Sequence, residues 1–165
     1  MNQAGERAVE QRVGQLLAKR GLTLALAESC TGGLIGHRIT NVAGSSEYFI
    51  GGVVAYANDA KERVLGVGHD TLCDDGAVSE QTALEMARGA RCLLMADVAL
   101  AVTGIVGPGG GMPGKPVGLV YIALSARDVE RCERYVWPHD RAGNKAASVD
   151  AALGLLLAYL EGCPT

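Results

Sequence analysis

Thr23-Leu24-Ala25-Leu26-Ala27-Glu28-Ser29-Cys30-Thr31-Gly32-Gly33 is the stretch that decides the fold. Residues 23–27 form a short unbroken apolar run, which reads as a buried strand. A glycine-rich turn follows, and residues 31–41 read as a helix with Gly32 and Gly33 in its first turn. Strand, tight turn and helix together open an α/β layered unit. Ser29 falls at the C-terminal end of the strand, where α/β sheets form their crevices. It also falls at a helix N-terminus, whose free N–H groups can hold an anion or an oxyanion. Spacing alone leaves a second reading equally open, in which Ser29 is a helix N-cap and the glycines serve packing.

The same alternation continues outward. A first helix is expected over residues 7–20, closed by Gly21, a favourable residue just past a helix end. Residues 49–57 read as a second strand and 59–65 as a short helix. Ser79 is placed to cap the longest helix, 80–95, with acidic residues early and Arg88 and Arg91 late, as the helix dipole favours. A third strand is expected over 97–103. Residues 104–116 contain six glycines and three prolines and can only be a loop. Residues 117–126 and 131–137 read as a hairpin, and Asp140 is placed to cap a final helix reaching about residue 160. No repeat or linker interrupts the pattern. The expectation is one α/β domain of three layers, α/β/α, with a mixed sheet of five or six strands spanning 1–165 and a core over about 6–161.

Composition narrows the class of function. Of 165 residues, 48% are hydrophobic and 20% charged, which excludes disorder. Aromatics are 4%, so the core must be built from Ala, Val, Leu and Ile. Fifteen basic against eighteen acidic side chains, with no clustered cationic footprint, argue against a nucleic-acid partner. No apolar run approaches the roughly 20 residues of a membrane span, and no signal peptide opens the chain. The five scattered cysteines read as reduced thiols of a cytoplasmic protein. They and the three histidines lack metal-ligand spacing, so neither a metal nor a cofactor is expected.

Three segments have the look of chemistry. Around Ser29 the sequence is not the G-x-S-x-G elbow, because Ala27 and Thr31 stand where glycines would be required. A hydroxyl nucleophile needs a base, and the histidines are poorly placed: His37 inside a helix, His69 in a polar turn, His139 beside Pro138. Lys61 lies just past a strand end and can act as base if burial lowers its pKa from about 10.4. Tyr56 could relay a proton or orient that lysine. Against this, most lysines on short surface helices are simply solvated. In the third segment, Thr103 ends a strand and the glycines after it, Gly104, Gly107 and Gly109 among them, can offer backbone N–H groups to a phosphate or oxyanion. The partial match to a phosphate-binding Walker loop near Gly114-Lys115 fails, because Pro116 stands where a Ser or Thr is required.

Taken together the segments resemble one family. Ala27 to Gly33, Gly44-Ser45-Ser46 with Tyr48-Phe49, and Gly51 to Tyr56 with Asn58 and Lys61 come first. Gly76 to Glu80, Thr103-Gly104-Ile105 through Gly111, and Lys115 to Gly118 follow in register. This pattern is similar to the CinA C-terminal domain family, whose better-characterised members are nicotinamide-mononucleotide deamidases. The resemblance implies hydrolysis of the carboxamide of a pyridine nucleotide, giving nicotinate mononucleotide and ammonia without a metal. It implies Ser29 as nucleophile, Lys61 as its base and Tyr56 close by. Thr31, Gly32, Gly33, Ser46, Asn58, Thr103, Gly104, Gly107, Gly109, Arg141 and Lys145 are then the candidate oxyanion and substrate-binding residues. It implies a homo-oligomer. The alternative it leaves is a pyridine-nucleotide binding module without turnover. One departure stands out: the family often closes with Gly-Asp-Arg and a second arginine four residues on. Here Pro138-His139-Asp140-Arg141 is followed by Lys145, which keeps the charge but not the bidentate geometry.

Overall fold

Strand β1 (Leu24–Glu28) alternates leucine with alanine, and the two residue types go to opposite faces of the sheet. Strand β3 (Val98–Gly104) repeats the device, with Val98, Leu100 and Val102 on one face and Ala99 and Ala101 on the other. The bulky face packs against α1 (Val9–Arg20), α2 (Leu34–Thr40) and α6 (Arg141–Gly162), through residues such as Leu17, Ile35, Leu153 and Leu156. The alanine face lets α5 (Glu80–Leu93) come close, meeting it with Ala83, Met86, Ala87 and Ala90. Each fully buried leucine contributes about 1.5–3 kcal/mol of transfer free energy, so the bulky face holds most of that stabilisation.

The structure, a computed structural model, describes residues 8–162. Its sheet is open and mixed, in the order β2-β1-β3-β4-β5, with β2 (Phe49–Val54), β4 (Leu119–Ala126) and β5 (Glu130–Val136) completing it. Strands β2, β1 and β3 run parallel, β4 runs antiparallel to β3, and β5 runs antiparallel to β4. Five strands between two helical layers match the expected architecture. The chain leaves β1 toward β2 on one side and reaches β3 on the other, so a crevice opens between the C-terminal ends of β1 and β3.

Several boundaries differ from the sequence reading. The second helix begins at Leu34 rather than Thr31, because Gly32 (φ 62°) and Gly33 (φ 100°) adopt the left-handed conformation and extend the turn. The second strand stops at Val54, and Ala55 and Tyr56 leave the sheet before α3 (Asn58–Leu65). Residues 69–74, which include the expected polar turn at His69, form a short helix, α4 (His69–Asp74). A 3-10 turn occupies Ser45–Glu47. The longest expected helix, 80–95, ends at Leu93, and the final helix takes its place as longest at 22 residues. Arg7, the expected start of the first helix, lies outside the described residues.

Helix α3 is docked against α5 at Gly89. A side chain there would put its Cβ 1.9 Å from the Leu65 carbonyl oxygen, so only glycine admits this approach. The contact fixes α3 beside the sheet, and with it the position of Lys61.

Candidate active site

The turn after β1 is organised by Glu28. Its carboxylate is buried, and Oε2 accepts from Thr31 Oγ1 (2.6 Å), Gly33 N–H (3.1 Å) and Ile35 N–H (3.1 Å), while Oε1 accepts from Gly36 N–H (2.9 Å). Glu28 therefore satisfies the free N–H groups at the start of α2, the task a helix cap performs. Ser29 is thus released from capping, and its hydroxyl faces the crevice. The Ser29 N–H donates to the Val102 carbonyl (2.9 Å), whereas the next amide, Cys30 N–H, donates to no backbone carbonyl among the described residues.

Lys61 is 1% exposed, on the inner side of α3. Its Nζ lies 3.1 Å from Ser29 Oγ, 2.9 Å from the Ala55 carbonyl oxygen and 3.1 Å from the Tyr56 carbonyl oxygen. The two carbonyls are those freed where β2 ends early. Among the described residues Lys61 has no carboxylate partner, and burial lowers its pKa from the usual 10.5. In the neutral state an amine has two N–H donors and one lone pair. The carbonyls take the two donors, which leaves the lone pair directed at the Ser29 hydroxyl. Cys30, beside the pair, is not a competing nucleophile: burial pushes its thiol up to about 12.

A cavity of about 250 Å³ opens in front of this pair, lined by Ser29, Tyr56, Lys61, Thr103, Val106 and Arg141 among others. Thr103, buried at the end of β3, donates to the Ala77 carbonyl (2.6 Å) and so ties the segment before α5 to the cavity wall. Arg141, the first residue of α6, donates to the Gly107 carbonyl (2.6 Å) and to the Tyr56 hydroxyl (3.1 Å) across the cavity mouth. Asp140 caps α6 as expected, its Oδ1 accepting from Gly143 N–H (2.8 Å). Gly107 and Gly109 line the cavity, and the Val106 and Gly107 N–H groups have no partner among the described residues. A second cavity of about 720 Å³ adjoins the first through Val106 and Arg141, and Lys145 lies on its wall.

The residues named from sequence therefore separate. Ser29, Lys61, Thr103, Gly104, Gly107, Gly109 and Arg141 meet in one cavity, with Lys145 one helical turn beyond Arg141 and next to Gly32. Tyr56 meets them through its carbonyl. Its hydroxyl is held by Arg141 and makes no hydrogen bond to Ser29 or Lys61, so a direct proton relay through it is not what the geometry provides. Thr31 and Gly33 serve the Glu28 network rather than the cavity. Gly104 is the last residue of the β3–β4 ladder; a Cβ there would sit 2.6 Å from Val120 Cγ2 and 2.8 Å from the Leu119 carbonyl oxygen, a packing role. Asn58 is exposed at the start of α3 and does not line the cavity. Ser46 lies just before Phe49, which pairs with Leu24 at the N-terminal end of β1, so the sheet's length separates it from Ser29. Among the described residues no group of three His, Cys, Asp or Glu side chains could hold a metal.

Three contributors were not visible beforehand. In the sequence Glu28 is one residue of the Ser29 motif, Gly89 lies inside a helical pattern, and Asn144 carries no signal. Asn144 is fully buried; its Nδ2 donates to the Val106 carbonyl (3.1 Å) and its Oδ1 accepts from His139 N–H (3.1 Å), pinning the glycine loop to α6.

Fold and site together define an open-sheet α/β domain with a buried serine–lysine pair at a strand-end crevice. A family model described as the CinA C-terminal domain matches residues 6–160, and the chain belongs to that family. It is 50% identical over 152 residues to the putative competence-damage inducible protein of Desulforudis audaxviator, covering 92% of this chain and 37% of that protein. It is 51% identical over 152 residues to the CinA-like protein of Geobacter sulfurreducens, with 92% and 37% covered. The chain thus spans little more than a third of the length of these curated relatives. Among solved structures, the competence/damage inducible protein CihA from Agrobacterium tumefaciens superposes with a TM-score of 0.89 at 46% identity, covering 93% of each chain. The competence damage-inducible protein A from Klebsiella pneumoniae superposes with a TM-score of 0.91 at 35% identity, covering 94% of this chain and 97% of that one. No helix among the described residues is long and apolar enough to cross a membrane.

Proposed function

We propose that the domain hydrolyses the carboxamide of nicotinamide mononucleotide, releasing nicotinate mononucleotide and ammonia. The observation that carries this reading is the 3.1 Å contact between the buried, carboxylate-free Lys61 amine and the Ser29 hydroxyl. Neutral Lys61 takes the hydroxyl proton as Ser29 Oγ bonds to the amide carbon. The carbonyl oxygen becomes an oxyanion, held by the Cys30 N–H and an N–H of the 106–107 segment. Protonated Lys61, still donating to Ala55 and Tyr56, passes a proton to the departing nitrogen. The C–N bond breaks, ammonia leaves and an ester remains on Ser29. Water then attacks the ester with Lys61 as base, the C–O bond to Ser29 breaks, and the proton returns to Ser29 Oγ. Arg141, with Lys145 behind it, receives the phosphate, and the glycine loop borders the ribose.

An ammonia assay with nicotinamide mononucleotide tests this. Wild type turns over, while Ser29→Ala releases no ammonia above background and Lys61→Ala releases it about 10²–10⁴-fold more slowly; full activity in Ser29→Ala would overturn the assignment. A binding module without turnover would instead give a raised melting temperature with the mononucleotide and no ammonia from wild type.

A further inference from the structure

The basic side chains that line the reaction cavity are Lys61 and Arg141, and no carboxylate is among its lining residues. The nearest carboxylates are committed elsewhere. Glu28 lies behind the Ser29 turn with four donors on it, and Asp140, on the adjoining cavity, caps α6. The other groups facing Lys61 are neutral: the Ser29 hydroxyl, the Cys30 thiol, and the Ala55 and Tyr56 carbonyls. An amide carried on a cationic ring therefore enters a site with nothing negative to meet that ring. In a binding site this would be a defect. In a site whose base must be uncharged it has a use.

We infer that the positive charge of the substrate's own ring helps hold the Lys61 amine neutral, so that the site selects amides borne on a cationic ring with an anionic tail. This rests on the amidase reading above. Attack requires the amide carbon within about 3–3.5 Å of Ser29 Oγ. Lys61 Nζ is 3.1 Å from that oxygen. The ring nitrogen of a 3-carbamoylpyridinium is three bonds from the amide carbon, which keeps its charge within about 10 Å of Nζ at that attack distance. At such a range in a partly buried site a like charge lowers an amine's proton affinity by on the order of one pH unit. The phosphate is taken by Arg141, whose own charge offsets the phosphate's opposite effect on Lys61.

The test compares nicotinamide mononucleotide with its neutral-ring isostere, 3-carbamoylphenyl C-riboside 5′-phosphate. Both bear the same phosphate, so its ionisation cancels. In the pH profile of kcat, the acid limb for the pyridinium amide is expected about one pH unit below that for the isostere. Coincident limbs, or a lower limb for the isostere, would overturn the inference while leaving the amidase reading intact. Ammonia from neither amide would overturn both. A second readout needs no turnover: in Ser29→Ala, nitrogen NMR follows the Lys61 Nζ titration with either amide bound. The midpoint is expected lower with the pyridinium compound, and equal midpoints would contradict the proposal.

Discussion

At Lys61 burial, orientation and chemistry coincide. A side chain of this type is almost never fully buried without a charged partner, and here two carbonyls and a hydroxyl replace that partner. Replacing Lys61 by Met keeps the volume and removes the base; we expect kcat to fall about 10²–10⁴-fold, read in the ammonia assay. Activity of the wild type should rise with pH through the lowered Lys61 pKa to a plateau, and the Lys61→Met residue of activity should lack that limb. At the cavity mouth, Arg141→Ala removes the charged hydrogen-bond donor proposed to receive the phosphate. KM should rise about 10–100-fold with little change in kcat, since such a bond is worth about 1.5–3 kcal/mol. A matching loss in kcat would place Arg141 in the chemistry instead. Ser29 and Lys61 could be singled out in the sequence by residue type and position just past strand ends, and the structure brings the two together, whereas Arg141 entered only through the family resemblance. Tyr56 was legible as a neighbour that could relay a proton or orient the lysine; its carbonyl accepts from Lys61, and sequence cannot show which atom of a residue faces a site.

Elements set those atoms in place. The early end of β2 turns two carbonyls toward α3, and the Gly89 contact brings α3 within reach of them. A methyl at Gly89 meets the Leu65 carbonyl. Gly89→Ala is therefore expected to cost at least about 1–3 kcal/mol in urea unfolding and to lower kcat by moving Lys61. A stability loss with unchanged kcat would separate the helix contact from the base. Glu28→Ala strips the partners from three backbone N–H groups and should cost about 1–3 kcal/mol for each one left buried and unsatisfied. The strands and most helices could be read from periodicity, and the loop over 104–116 from its glycines and prolines. The three-residue displacement at the start of α2 came from Gly32 and Gly33, whose left-handed backbone cannot be told from helical backbone by spacing. Gly89 and Asn144 were beyond reach, since each acts on a segment distant in sequence.

Over the whole molecule the buried amine has a thermodynamic signature. Lys61 binds its proton more weakly folded than unfolded, so between its lowered pKa and the usual 10.5 the unfolded chain binds more protons. In that window stability rises with pH, and below it this group adds no slope. Lys61→Met should flatten that rise and raise the melting temperature near neutrality, read by calorimetry across pH; an unchanged slope would mean that Lys61 titrates normally. The layered plan itself was legible because short apolar runs alternate with longer amphipathic segments along the chain, whereas the two unlike faces of β1 and β3 emerge only in the structure. The account as a whole turns on covalent chemistry at Ser29. Acid-quenched wild type, sampled within a single turnover of nicotinamide mononucleotide, should carry a nicotinate-mononucleotide acyl group on Ser29, located by peptide mass spectrometry. Ammonia release with that group on another residue, or undiminished release from Ser29→Ala, would contradict it.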